Sequence, residues 1–142
     1  EKAFDLIKVA DLVLQKYKCA AVARKFAPDH LPVLYTANAS ADFLRTVEQS
    51  REQADDMWAD VLDGISFEAQ ASSYAQMVFN FRNPLIQRLA TVHDRDLLSR
   101  VIEILYLQSL LLGNYPLAGG ERRLLAEGLL GLVNLFLDGK QG

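Results

Sequence analysis

The chain has 142 residues, 51% of them apolar and 23% charged, a composition that makes one globular domain with a core and excludes a disordered chain. Its formal charge of -3 comes without a Lys/Arg cluster, which argues against nucleic acid or an anionic membrane as partner. A single cysteine, Cys19, excludes a disulfide framework and a thiolate metal cage, and fits a reducing cytoplasm.

The chain opens at Glu1 in what already reads as a helix, which points to a piece of a longer protein. No charged segment followed by an apolar one marks a signal peptide, and no stretch reaches the roughly 18 to 20 apolar residues of a membrane span. Ala3 to Lys16 has a helical pattern, with Phe4, Ile7, Leu12 and Leu14 among its apolar positions. Cys19 to Phe26 is short and β-compatible. It ends at Ala27-Pro28-Asp29, and Leu31 to Thr36 forms a second strand with Leu31, Val33 and Tyr35 on one side. The pair is compatible with a hairpin through Ala27–His30, its register open.

Ser40 is placed to cap a long helix running to about Leu62, where Asp42 suits the positive end of the dipole. The middle of that helix is polar and solvated. Ile65 to Tyr74 is irregular, and Ala75 to Phe81 is a third strand in which Met77, Phe79 and Phe81 alternate with Gln76, Val78 and Asn80. Pro84 opens a helix carrying Leu85, Ile86 and Leu89.

The last third is the most informative. Two apolar helices, Leu97–Leu112 and Glu121–Asp138, are joined by a breaker run from Gly113 to Gly120. In the first, Leu97, Leu98, Val101, Ile102, Leu105 and Leu112 form one stripe, which Ile104, Leu107, Leu110 and Leu111 widen beyond the arc a surface helix buries. The second repeats this excess with Leu124, Leu125, Leu129, Leu132, Val133 and Phe136, plus Leu130, Leu135 and Leu137. A hairpin with two sticky faces covers one on its own domain and needs a partner for the other. An identical hairpin across a two-fold axis would complete a four-helix bundle. The expected dimer interface is Leu105, Leu112, Leu125, Leu129, Leu132, Val133 and Phe136. The expected fold is α+β: a helix, a small three-stranded sheet, a long helix, then C-terminal helices forming a dimeric four-helix bundle.

Catalytic chemistry is hard to find. Gly119-Gly120 lacks the Lys-Ser/Thr of a phosphate loop, and His30 and His93 have no ligand one helical turn away. Asp94 is explained by capping the helix that follows, Ser72-Ser73 and Ser99 lack a nucleophile elbow, and Cys19 suits a small buried hydrophobe. No catalytic, cofactor-binding or metal residue is assigned.

From Asn80 onward the chain resembles the C-terminal domain of the 90-kilodalton heat-shock chaperones, HtpG in bacteria. Asn80-Phe81-Arg82-Asn83-Pro84-Leu85-Ile86-Gln87-Arg88-Leu89 is similar to the family's strand, Asn-Pro-type turn and helix. Leu105-Tyr106-Leu107-Gln108-Ser109-Leu110-Leu111-Leu112-Gly113 is similar to its Leu-x-x-Gln-Ala-Leu-Leu segment, at a fitting distance. The run Leu112-Gly113-Asn114-Tyr115-Pro116-Leu117 looks closest to divergent bacterial paralogues. Residue matching covers about half the chain and is loose upstream.

The resemblance implies constitutive homodimerisation through the last two helices, cytoplasmic localisation, and an amphipathic helix that contacts non-native client proteins. By position that helix is Asp55–Ile65, where Met57, Trp58, Val61 and Leu62 share one face. Trp and Met suit a plastic, promiscuous surface, yet the plainer and preferred reading packs the same four side chains on the sheet. Residues 1–81 would form the α/β part with the client-facing helix, and 82–142 the helical dimerisation part. The chain lacks the ATP-binding and middle domains, so it is not expected to be an enzyme or to bind ATP; ATP belongs to the parent's N-terminal domain. The acidic tail by which eukaryotic members bind co-chaperones is missing from the terminal Asp138-Gly139-Lys140-Gln141-Gly142. The alternatives are a stand-alone dimeric ligand-binding or regulatory domain, or a minor activity at Cys19 or His93.

Overall fold

The computed structural model describes residues 2–37 and 75–141. The helix expected over 40–62, the irregular stretch 65–74 and the quartet Met57, Trp58, Val61 and Leu62 lie outside these residues. The described part is mixed α+β, with four helices and a three-stranded sheet. In chain order it runs α1 (Lys2–Leu14), a 3-10 turn (Gln15–Tyr17), β1 (Cys19–Arg24), β2 (Val33–Thr36), β3 (Ala75–Asn80), α2 (Pro84–Leu89), α3 (Arg95–Leu112) and α4 (Gly119–Gln141).

Local chemistry accounts for most boundaries. Lys18 takes a left-handed conformation (φ 56°) that turns the chain out of the 3-10 turn and into β1. Asn83 caps α2, its side-chain oxygen accepting from Leu85 N at 2.9 Å and Ile86 N at 3.3 Å, with Pro84 in the first turn where no amide hydrogen is needed. Asp94 caps α3 in the same way through Asp96 N (3.0 Å) and Leu97 N (3.1 Å), as its position before the apolar run suggests.

The sheet order is β1-β3-β2. β3 lies in the middle, parallel to β1 from Cys19↔Ala75 to Arg24↔Asn80 and antiparallel to β2 from Val33↔Phe79 to Thr36↔Gln76. β1 and β2 therefore do not form a hairpin. The chain between them spans the end of the sheet, and the vacant slot goes to β3, whose Ala75, Met77 and Phe79 are all buried.

Asn80, wholly buried at the end of β3, holds that connection in place. Its Oδ1 accepts from Phe26 N and Arg82 N, each at 3.1 Å. Its Nδ2 faces the carbonyls of Phe26 (2.9 Å), Leu31 (2.9 Å) and Pro28 (3.3 Å). Asn83 Nδ2 adds a bond to Asp29 O at 2.9 Å. A turn that would otherwise leave several part-buried backbone groups unpaired is satisfied by two side chains from a distant segment.

The core joins Leu6, Val9, Ala10 and Leu14 of α1 to Val33 and Tyr35 of β2, Met77 and Phe79 of β3, Ile86 and Leu89 of α2, and one face of α3. α1 turns that stripe inward at helical spacing and leaves Phe4 and Leu12 in solvent. Cys19 is buried in this core. Among the described residues no helix is long and apolar enough to cross a membrane.

Candidate functional site

The candidate site is the outer apolar face of the α3–α4 hairpin, and a buried polar cluster fixes how α4 leaves the core. Glu121, 4% exposed in the first turn of α4, accepts from Ala118 N at 3.0 Å through Oε1 and from the Tyr106 hydroxyl through Oε2. The first of these is the carboxylate half of a capping box. Tyr106 stacks on Tyr17 at 4.9 Å between ring centroids and meets Tyr35 edge-on at 6.2 Å, and Tyr35 meets Tyr115 edge-on at 4.6 Å. Gly113 is required beside Tyr115, since a Cβ there would come within 2.8 Å of its ring. The Tyr17 hydroxyl donates to Glu103 Oε2 at 2.8 Å, and Lys16 Nζ lies 3.2 Å from the same oxygen. Burial pushes the Tyr17 phenol well above its ordinary range, reinforced by its hydrogen bond to Glu103 and by the Glu103 and Glu121 charges. The start of α4 is thereby locked to the core.

Beyond Glu121 the helix runs out over solvent for about 30 Å at 1.5 Å per residue. A groove of about 280 Å³ lies between it and α3, lined by Ile104, Leu107, Gln108, Leu111, Leu112, Leu125, Gly128, Leu129 and Leu132. Gln108 is its one polar side chain.

Most of the expected interface lies on this face. Leu125 and Leu132 are half-buried in the groove, while Leu112, Leu129, Val133 and Phe136 are exposed, Phe136 by 74%. Leu105 requires a correction. It is 6% exposed and belongs to the chain's own core, because it follows Leu98 and Ile102 at helical spacing on the face of α3 that meets the sheet. Leu97, Leu111, Leu130, Leu135 and Leu137 are further exposed apolar side chains of the two helices that the interface set left out. Gln108 and Gly128 were also missed, although their places between apolar residues at helical spacing were readable in the sequence.

A second cleft, of about 410 Å³, separates α1 from the α2–α3 connection. It is lined by apolar residues such as Leu6, Leu12 and Leu98 together with Asp5, Lys8, His93 and Arg95. Among the described residues no group of three His, Cys, Asp or Glu side chains could hold a metal ion. No protein-family model matches the chain, and no curated protein sequence matches it significantly.

Proposed function

We propose that this chain is a homodimerisation domain, acting as the C-terminal dimerisation and client-contact part of a bacterial ATP-dependent chaperone of the 90-kilodalton heat-shock family. One observation carries the dimer reading: nine large apolar side chains of the hairpin, Leu97 among them, stand about half exposed or more. Exposed apolar side chains clustered on one element are what a protein–protein interface covers.

The family part of the reading rests on the blocks 80–89 and 105–113, and in this fold their polar residues have definite uses. Asn80 closes the β1–β2 connection and Asn83 caps α2. Dimerisation here would hold two ATPase arms of the parent at high effective concentration, making their closure intramolecular. Client contact rests on the resemblance and on Met57, Trp58, Val61 and Leu62. Sedimentation equilibrium across a dilution series tests the dimer: a dimer persisting to low micromolar supports the reading, and a monomer throughout removes it.

A second reading, a dimeric ligand-binding or regulatory domain, is favoured by the cleft between α1 and the α2–α3 connection, whose wall mixes apolar and charged groups. It predicts a small-molecule-dependent thermal shift that His93→Leu with Arg95→Leu abolishes.

A further inference from the structure

The cleft between α1 and the α2–α3 connection has a chemistry that narrows the ligand it fits, and the inference rests on the second reading, that of a ligand-binding domain. Its floor is apolar. Leu6 and Val9 of α1, Leu89 at the end of α2 and Leu98 of α3 all line it, each no more than 8% exposed. Ala90, Val92 and the exposed Leu12 extend that surface up the walls. A volume of about 410 Å³ lies in the range of small-molecule clefts, roughly 300–1,000 Å³, and holds one short chain rather than a two-chain lipid.

The rim is charged and lopsided. Lys8 stands on the α1 wall, His93 and Arg95 stand on the facing wall, and Asp5 is the one carboxylate in the lining. All four residues are exposed. Among the described residues none of Lys8, His93 and Arg95 has an ion pair or a side-chain hydrogen bond, so their donors are not spent on the protein. Lys8 has an aromatic ring beside it, its Nζ 5.9 Å from the centroid of Phe4. The neighbouring Asp94 is engaged elsewhere, its Oδ1 capping the start of α3. Two fixed cations and an imidazole around an apolar floor, against one carboxylate, favour an anionic head on an apolar body.

We propose that this cleft binds a small soluble amphiphile with an anionic head and a single short apolar body. The head lies between Lys8 and Arg95, whose forked guanidinium donors match a pair of anionic oxygens, and the body covers Leu6, Val9, Leu89 and Leu98. Burying the body supplies affinity, about fourfold per methylene, and the cations select the head.

Titration with three probes of one chain length tests the assignment: octanoate, octanol and octylammonium, followed by calorimetry and by thermal shift at neutral pH. Octanoate is expected to bind at least tenfold more tightly than octanol, and octylammonium more weakly than either. Lys8→Gln with Arg95→Gln removes both fixed cations from exposed positions. It is expected to bring octanoate down to the affinity of octanol, with an unchanged far-ultraviolet circular dichroism spectrum. Arg100→Gln with Arg123→Gln makes the same change of net charge outside the cleft, and should leave octanoate binding within twofold. Equal affinity for the three probes overturns the anionic head and leaves a ligand-binding cleft standing. An equal loss in the two double variants overturns the proposal too, because net charge and not the cleft would then attract the anion. No binding of any probe by either method removes the ligand-binding reading as well.

Discussion

α3 and α4 are helices of similar apolar content with opposite fates. α3 lies across the sheet and α1, burying Leu98, Ile102, Leu105, Tyr106, Leu107, Ser109 and Leu110. Among the described residues α4 fully buries only Glu121 and half-buries Leu124, Leu125 and Leu132, while its Leu129, Leu130, Val133, Leu135, Phe136 and Leu137 are exposed in the single chain. The difference comes from neighbours: among the described residues α3 packs against α1 and β2, while α4 packs chiefly against α3. An apolar stripe therefore marks surface that must be covered and leaves open which chain covers it.

The comparison breaks most readily at the core side. Phe79→Ala, at a fully buried site of the central strand, should cost about 3–5 kcal/mol of folding stability. Urea denaturation checks this, and a small loss would mean that the sheet adds less than α3 to the core.

On the other side, Leu129→Asp should cost roughly 3 kcal/mol of association, because it would place a charge in the proposed dimer interface. Since Leu129 is 54% exposed in the single chain, its fold should be nearly unaffected. Sedimentation should read a monomer with an unchanged helical signal. Loss of folding along with association would show that α4 belongs to the core after all.

Asn80→Ala sharpens the account of the core side, because it touches no apolar packing yet removes the clamp on the β1–β2 connection. About 2 kcal/mol is expected from denaturation midpoints, for part-buried backbone groups left unpaired.

The smallest effect concerns the seam between the two regions. The folded Tyr17 phenol titrates above its unfolded value, so its contribution is complete below about pH 10 and fades as pH rises through the folded value. The urea midpoint of the native chain should fall above pH 10, and Tyr17→Phe should blunt that fall while costing about 1 kcal/mol at neutral pH.

Much of the fold was legible residue by residue. The apolar runs placed α1, β3, α3 and α4 to within a few residues, and Pro84 and Asp94 marked helix starts through backbone chemistry that acts within one turn. The strand neighbours were not legible. The short span between β1 and β2 permits a hairpin, and only the long-range bonds of Asn80 explain why that span bends across the sheet end instead. Leu105 was misplaced for a related reason: spacing groups it with Leu98 and Leu112 alike, while the sheet takes the first and leaves the second 65% exposed.

By itself, then, the sequence determined, for the described residues, which segments are helix or strand, that the last two helices are rich in apolar side chains, and that Pro84 and Asp94 mark helix starts. These follow from local propensity and period. The tertiary structure alone decided that β3 separates β1 from β2, that Leu105 is core and Leu129 is surface, and that Tyr106 and Glu121 join the start of α4 to the core. Each of those depends on which distant element arrives at a given face, and that is settled by packing the whole chain.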